Sequence, residues 1–419
     1  MKMKIKIGLF VLFGVIALSS TVVMAQWTKS VLPNPPYGHG ALPGRVISLE
    51  SDGSNLYAGT LGGNLYFSQD NGNSWAYIDS GLTTSDINVI MTYHNNIYVG
   101  TYGSGILISS NNGQTWKSSG STLINKFIYS FVVLDSTIFA ATWGGGVLVS
   151  VDYGTTWKQS NNGLTNLNVR TVAVKEKRLY AGTWGDGVYL SDDNAASWTK
   201  SNNGLNKLLI YTIVADGPNV YLGNDEGVYS SANSGFFWDL KSIGLTNTYV
   251  RALVVIHPNL IVGTVGEGVF VSLNSGALWT PADTGLTNGF IYCLAVNGSK
   301  LFAGAPNGEI WSRPISEIVT AVKERIKNSV VDNYLLYQNF PNPFNPATTI
   351  NYQISKESYV TLKVYDAIGR EVETLVNQNQ NAGSYSVNFN PSNSLSGGVY
   401  FYQLKAGNIS QVKKMILLK

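Results

Sequence analysis

Cysteine is almost absent: Cys293 is the only one in 419 residues. No disulfide can form within the chain, and no cysteine metal site is possible. Histidine is nearly as scarce. His39, His94 and His257 lie far apart and never in a metal-ligand spacing, so no metal and no other cofactor is expected. Charged residues make up only 13%, with 28 basic against 25 acidic. Three of the basic residues are Lys2, Lys4 and Lys6, and the remainder balances at zero. Such a balance leaves no basic face for a nucleic-acid partner. No long segment sustains a 3.6-residue apolar period, so helix is expected to be minor. Hydrolase and zinc-protease signatures and phosphate loops are missing. Glycine-rich turns such as Trp143–Gly146 are too short for a nucleotide site and lead into no helix.

Glycine (44 residues) and aromatics (12%) are plentiful, which suits short strands joined by tight turns. The N-terminus has a positive head, an apolar stretch from Ile7 to about Leu18, and small residues at Val23 and Ala25. This pattern predicts a signal peptide over 1–25 with cleavage after Ala25. An uncleaved anchor is the alternative, but the stretch falls short of the ~20 residues of a spanning helix. No other segment is apolar enough to span a membrane, so none is expected in the mature chain.

The strongest signal is internal repetition. A strand ending in a small residue and a turn recurs as Tyr57-Ala-Gly-Thr60, Tyr98-Val-Gly-Thr101, Phe139-Ala-Ala-Thr142 and Tyr180-Ala-Gly-Thr183. It continues as Tyr221-Leu-Gly-Asn224, Ile261-Val-Gly-Thr264 and Phe302-Ala-Gly-Ala305, with spacings of 41, 41, 41, 41, 40 and 41 residues. Each of the first six copies is followed by a Ser-x-Asp-x-Gly-x-Thr/Ser-Trp motif, fullest at Ser68–Trp75 and Ser150–Trp157. The acid position is Asp70, Asn111, Asp152, Asp193, Asn233 and Asn274. A short polar side chain there can accept backbone N–H bonds inside the turn, glycine tolerates positive φ, and the tryptophan can pack between sheets.

A unit of ~41 residues is the length of a four-stranded propeller blade. The unit between Gly163 and Leu205 reads as strands near Val169–Val174, Arg178–Thr183, Gly187–Ser191 and from Trp198. The second motif resembles the Asp-box of sialidase-like and sortilin-like propellers (the BNR type), where it is structural. The fold class is therefore all-β, with a seven-bladed β-propeller over 26–313. The seventh copy lacks its box and outer strand, but Gln26-Trp-Thr-Lys-Ser30 matches Ser197-Trp-Thr-Lys-Ser201. Trp27 is expected to complete the seventh blade and close the ring. An open array of seven β-units is the alternative, at the cost of exposed sheet edges.

The period stops after Ile310, and 314–332 reads as a linker. Residues 333–419 alternate as short strands, for example Val360, Leu362, Val364 and Tyr385, Val387, Phe389, which predicts a small immunoglobulin-like β-sandwich. Tyr337-Gln-Asn-Phe-Pro-Asn-Pro-Phe-Asn-Pro346, Gly369-Arg-Glu-Val372, Leu395-Ser-Gly-Gly-Val-Tyr400 and the terminal Lys413–Lys419 occur in the order seen in type IX secretion C-terminal sorting domains. This part resembles that family (type A). The resemblance implies export across the outer membrane by the type IX machinery, and release or display at the cell surface. A generic immunoglobulin-like spacer is the alternative.

The repeat also sorts the side chains. Seven of the ten tryptophans follow the blade rule, and Trp311 sits in a third strand. Trp143 and Trp184 share one register just after Thr142 and Thr183, with Tyr102 in the preceding unit; the other units have Leu61, Asp225, Val265 and Pro306 there. These positions are expected on the face opposite the Asp-boxes. They suit sugar stacking or an aromatic protein contact, or else they cap their own blades. One residue after the apolar anchor of each inner strand stand Ile47, Asn88, Tyr129, Arg170, Tyr211, Arg251 and Tyr292. Arg170 and Arg251 in this ring can grip a carboxylate or sulfate, or stack on neighbouring tyrosines in a wet channel. Asp186, Glu226 and Glu267 lie near the same turns and are weak catalytic candidates as an acid pair for glycoside hydrolysis. The expected function is a non-enzymatic binding or scaffold module for a glycan, a peptide or an envelope protein. A sialidase-like or xyloglucanase-like hydrolase or lyase is the alternative.

Overall fold

The structure is a computed structural model that describes residues 26–35, 43–78, 85–119, 127–330, 334–391, 395–407 and 409–418. The expected signal segment, its cleavage after Ala25 and His39 lie outside the described residues. Among the described residues, seven four-stranded antiparallel sheets lie between positions 28 and 314. The fourth is typical. Its inner strand Val169–Lys175 pairs with Arg178–Thr183, then Val188–Ser191, then the outer Thr199–Lys200. Each Tyr-Ala-Gly-Thr copy forms the second strand of its sheet, where side chains are buried on both faces, as at Arg178–Thr183 and Asn259–Thr264.

The seventh sheet is built from both ends of this region. Cys293–Asn297, Lys300–Gly304 and Glu309–Pro314 supply three strands, and Thr28–Val31 pairs antiparallel with Glu309–Pro314 as the fourth. Inner strands contact one another in succession, and Cys293–Asn297 contacts Val46–Ser51 of the first sheet. Backbone bonds repeat the same step: Ile210 N donates to Thr183 O, Val250 N to Asn224 O and Ile291 N to Thr264 O. Val46 N donates to Ala305 O across the first and seventh sheets.

The recurring turns are local devices. Asp152 Oδ1 accepts Thr156 N at 2.9 Å, and Ser150 Oγ donates to Asp152 Oδ1 while accepting Gly154 N. Asn111 does the same work, with Oδ1 accepting Thr115 N at 2.9 Å. Asp70 and Asp193 bind Ser74 N and Ser197 N, and Asn233 and Asn274 bind Phe237 N and Leu278 N. Hydrogen bonds led by the Ser74 hydroxyl lower the Asp70 carboxyl to about 2. The tryptophans that follow these turns, Trp116 excepted, bond back to the preceding sheet. Nε1 of Trp198, Trp238 and Trp279 donates to Ser160 O, Ser201 O and Lys241 O at 2.8, 3.0 and 2.6 Å. Trp75 Nε1 bonds Ser30 Oγ on the N-terminal strand, and Trp27 Nε1 bonds Ala282 O at 2.7 Å. These bonds tie sheet to sheet, and hydrophobic clusters between neighbouring sheets supply the apolar core.

The segment read as a linker is instead an α-helix, Ile315–Val330. Ile315, Ile318, Val322 and Ile326 recur at helical spacing, and Ile318 and Val322 are buried in one cluster with Ile261 and Val271 of the sixth sheet. The helix starts where the other six sheets make their Asp/Asn turn. Arg313, paired with Leu301, stands where the other sheets have the turn's serine, as Ser191 pairs with Leu179. Beyond it, Leu335–Leu336, Thr348–Ile354 and Gly383–Phe389 form one sheet. Glu371–Gln380, Ser358–Tyr365, Gly398–Ala406 and Ile409–Leu417 form another. Ile350 and Tyr352 from the first share a core with Val360, Leu362, Tyr402 and Met415 from the second. The asparagine- and proline-rich opening is laced to both: Asn339 Nδ2 donates to Thr348 Oγ1 at 2.9 Å, and its N–H to Tyr402 Oη at 2.7 Å.

Candidate functional site

Strand alternation brings the turn after each second strand beside the start of the inner strand. Leu61 N donates to Arg45 O, Tyr102 N to Asp86 O, Trp143 N to Phe127 O, Trp184 N to Asn168 O and Val265 N to Tyr249 O. The two registers singled out in the sequence therefore meet at one mouth of the ring.

The inner-strand register has a local cause. Pairing with the second strand slips between Val46 and Ser48, Ile87 and Val89, Ile128 and Ser130, Val169 and Thr171, and Val250 and Ala252. Ile47, Asn88, Tyr129, Arg170 and Arg251 are the extra residues of these β-bulges. A bulge leaves its extra residue outside the ladder and re-aims the side chain. Tyr211 and Tyr292 stand just before the corresponding strands and bond Gly223 O and Gly304 O.

The aromatic residues form a continuous arc. Ring centroids are 6.5 Å apart for Tyr102 and Tyr129, 6.2 Å for Tyr129 and Trp143, 5.6 Å for Trp143 and Trp184, and 5.6 Å for Trp184 and Tyr211. Phe127 extends it beside Tyr102 at 4.6 Å, and Tyr249 beside Tyr211 at 4.8 Å. Tyr102 is half exposed, Trp143 and Trp184 are partly buried, and Tyr211 is buried. Burial raises the Tyr129 and Tyr211 phenols, so both stay neutral at physiological pH.

One arginine lies against this arc, and two more lie against Tyr292. The Arg170 guanidinium lies 5.1, 5.4 and 5.8 Å from the rings of Tyr129, Trp184 and Tyr211. Burial first, and then the nearby Arg251, lower its pKa to about 10, so it remains a cation. Arg251 lies 5.6 Å from Tyr292, and Arg45 faces the same ring at 5.4 Å. Arg45, Phe127 and Tyr249 were missed in the sequence reading. They occupy the position before the apolar anchor, two residues earlier than the register chosen.

The three carboxylates are brought together with local partners, not with one another. Asp186 pairs with Lys200 Nζ at 2.6 Å and accepts Thr165 Oγ1 at 2.6 Å and the Tyr189 hydroxyl. Although burial opposes it, these contacts keep its pKa lowered. Glu226 accepts Tyr229 Oη and Asn206 Nδ2, and Glu267 accepts the Thr246 hydroxyl. Burial, and then the Glu226 carboxylate that its hydroxyl bonds, raise the Tyr229 phenol. His257 pairs with Asp216 at 3.0 Å, and His94 packs on Tyr93 at 4.4 Å. No group of three or more metal-ligating side chains exists among the described residues.

The comparisons address the two parts of the chain. Residues 338–418 match the secretion system C-terminal sorting domain. Among solved structures, YCF48 bound to D1 peptide is 13% identical, with a TM-score of 0.56 over 69% of this chain and 97% of its own. PorZ, a bacterial surface component of the type IX secretion system of Porphyromonas gingivalis, is 15% identical, with a TM-score of 0.52 over 93% of this chain and 61% of its own. The WD40 β-propeller domain of Doa1 is 11% identical, with a TM-score of 0.52 over 70% of this chain and 99% of its own. The chain carries a β-propeller and a type IX sorting tail. It is exported, to the cell surface or beyond it. No helix among the described residues is long and apolar enough to cross a membrane. No curated relative matches the sequence.

Proposed function

We propose that the chain is a secreted seven-bladed Asp-box propeller, made with a signal peptide removed after Ala25 and exported on an immunoglobulin-like sorting domain, that acts as a non-enzymatic binding module. The observation that carries this reading is the aromatic arc at one mouth, where Trp143 and Trp184 stand side by side at 5.6 Å. Partly exposed aromatic rings give large contact area at low conformational cost, which suits a glycan or a polypeptide segment. YCF48, a propeller of similar fold, binds a peptide, which supports a polypeptide or envelope-protein ligand as much as a sugar. Catalysis is disfavoured because Asp186, Glu226 and Glu267 are each engaged by hydroxyl, amide or ammonium donors beside them.

The test is a glycan array and an envelope pull-down with the full chain, repeated with Trp143→Ala and Trp184→Ala together. Loss of two aromatic anchors is expected to weaken binding by about 30-fold or more, with the thermal midpoint little changed. Undiminished binding by the folded double variant removes the aromatic mouth as the site.

A further inference from the structure

Among the described residues, Arg45, Arg170 and Arg251 form no ion pair, and Arg170 Nε is buried without a hydrogen-bond partner. These cation–π contacts engage the guanidinium charge but supply no acceptor oxygen for the N–H groups, which are the part that binds an anion. Arg45 and Arg251 share Tyr292, while Arg170 is held by Tyr129, Trp184 and Tyr211. Two carboxylates border the mouth. Asp86 is occupied by Gly62 N at 2.7 Å, and one buried oxygen of Asp225 has no partner. Neither pairs with an arginine. Burying unpaired guanidinium N–H groups costs free energy that cation–π contacts offset only in part. A bulged strand pays this cost to aim Arg170 and Arg251 at the mouth, whereas Ile47 and Asn88 show that the same bulge accepts uncharged residues.

Resting on the reading of this mouth as a binding site, we propose that its ligand bears an oxyanion, a carboxylate or a sulfate, which docks on the N–H edges of Arg170, Arg251 and Arg45 beside the aromatic arc. The anion completes a charge-assisted set of donors that the protein leaves open. Trp143 and Trp184 take the apolar body of the same ligand.

The test is calorimetric titration of the full chain at constant ionic strength with ligand pairs that differ only in charge. Glucuronate is compared with glucose, and N-acetyl-tyrosine with its amide, so that saccharide and peptide sources separate. Inorganic sulfate serves as competitor. At least one acid is expected to bind tenfold or more above its neutral partner, to be displaced by sulfate, and to be weakened about tenfold by Arg251→Gln. Arg45→Gln, at an exposed residue, provides a variant that leaves the fold alone and is expected to weaken the acid in the same sense. Equal binding of acid and neutral partner, or acid binding indifferent to both variants, overturns the proposal. If array binding persists in the arginine variants and is lost with Trp143→Ala and Trp184→Ala, only the oxyanion docking fails. The reverse pattern removes only the aromatic contact.

Discussion

Glu50 shows how a repeat isolates a single residue. The positions that pair with the first residue of each second-strand marker are Met91, Val132, Ala173, Val214, Val254 and Ala295 in the other sheets, but Glu50 in the first. Its Oε1 accepts Thr92 N and Thr92 Oγ1, both at 3.1 Å, across the gap to the second sheet. Burial raises its pKa from 4.5 to about 7, against the Thr92 bonds and with help from Asp52. The folded chain therefore holds a proton between these values that the unfolded chain has lost. Stability should fall as pH rises from 4.5 through 7 and stay lower above it. Glu50→Gln keeps the acceptor and removes the charge. Thermal melts at pH 5 and pH 8 should show the variant about 2 kcal/mol more stable than the parent at pH 8, and nearly equal at pH 5. The Asp/Asn turns teach a complementary point. Asn111 and Asp152 make the same bond to the backbone four residues on, so the turn needs an acceptor oxygen and no charge.

At the scale of elements, the N-terminal strand and the helix perform related tasks at the seventh sheet. Trp27 is 4% exposed, and its indole bonds Ala282 O in the sixth sheet, as Trp279 bonds Lys241 O in the fifth. A contact spanning 255 residues is absent from any partly folded chain that has not joined its ends. Trp27→Ala removes a large buried ring and should cost about 3–5 kcal/mol, read as a lower thermal midpoint and faster proteolysis of the N-terminal segment. The helix Ile315–Val330 covers the sixth and seventh sheets where the seventh has no turn of its own, with Arg325 Nη1 bonding Pro281 O at 3.2 Å. Its apolar residues are spaced at 315, 318, 322 and 326, a pattern legible in the sequence but short, and interrupted by Glu317, Lys323 and Arg325. Mixed charge drew the reading toward a linker, although Lys323 is exposed to solvent and Arg325 bonds the rim of the sheet that the apolar face covers.

For the whole molecule, the tail decides destination and the ring decides what travels. Removing 338–418 should leave the chain unable to reach the surface or the medium. Cell fractionation should then find it in the periplasm, with the ring still resistant to protease; surface delivery of the truncated chain would contradict the role of the tail. Strand repetition, the turn chemistry and the sorting motifs were determined by the sequence alone, because each is a local pattern that recurs or stands in fixed order. Side-chain alternation also placed Trp143, Trp184, Arg170 and Arg251 in registers before any contact was known. Tertiary structure decided what those registers become. Bulges turned Tyr129, Arg170 and Arg251 toward one mouth, and Arg45 joined them from a neighbouring register through a shared tyrosine. It also separated Asp186, Glu226 and Glu267 into local hydrogen-bond sets. The physical reason is that a register fixes which face a side chain leaves from, whereas partners across the ring come from strands 40 or more residues away and are known only once the sheets have closed.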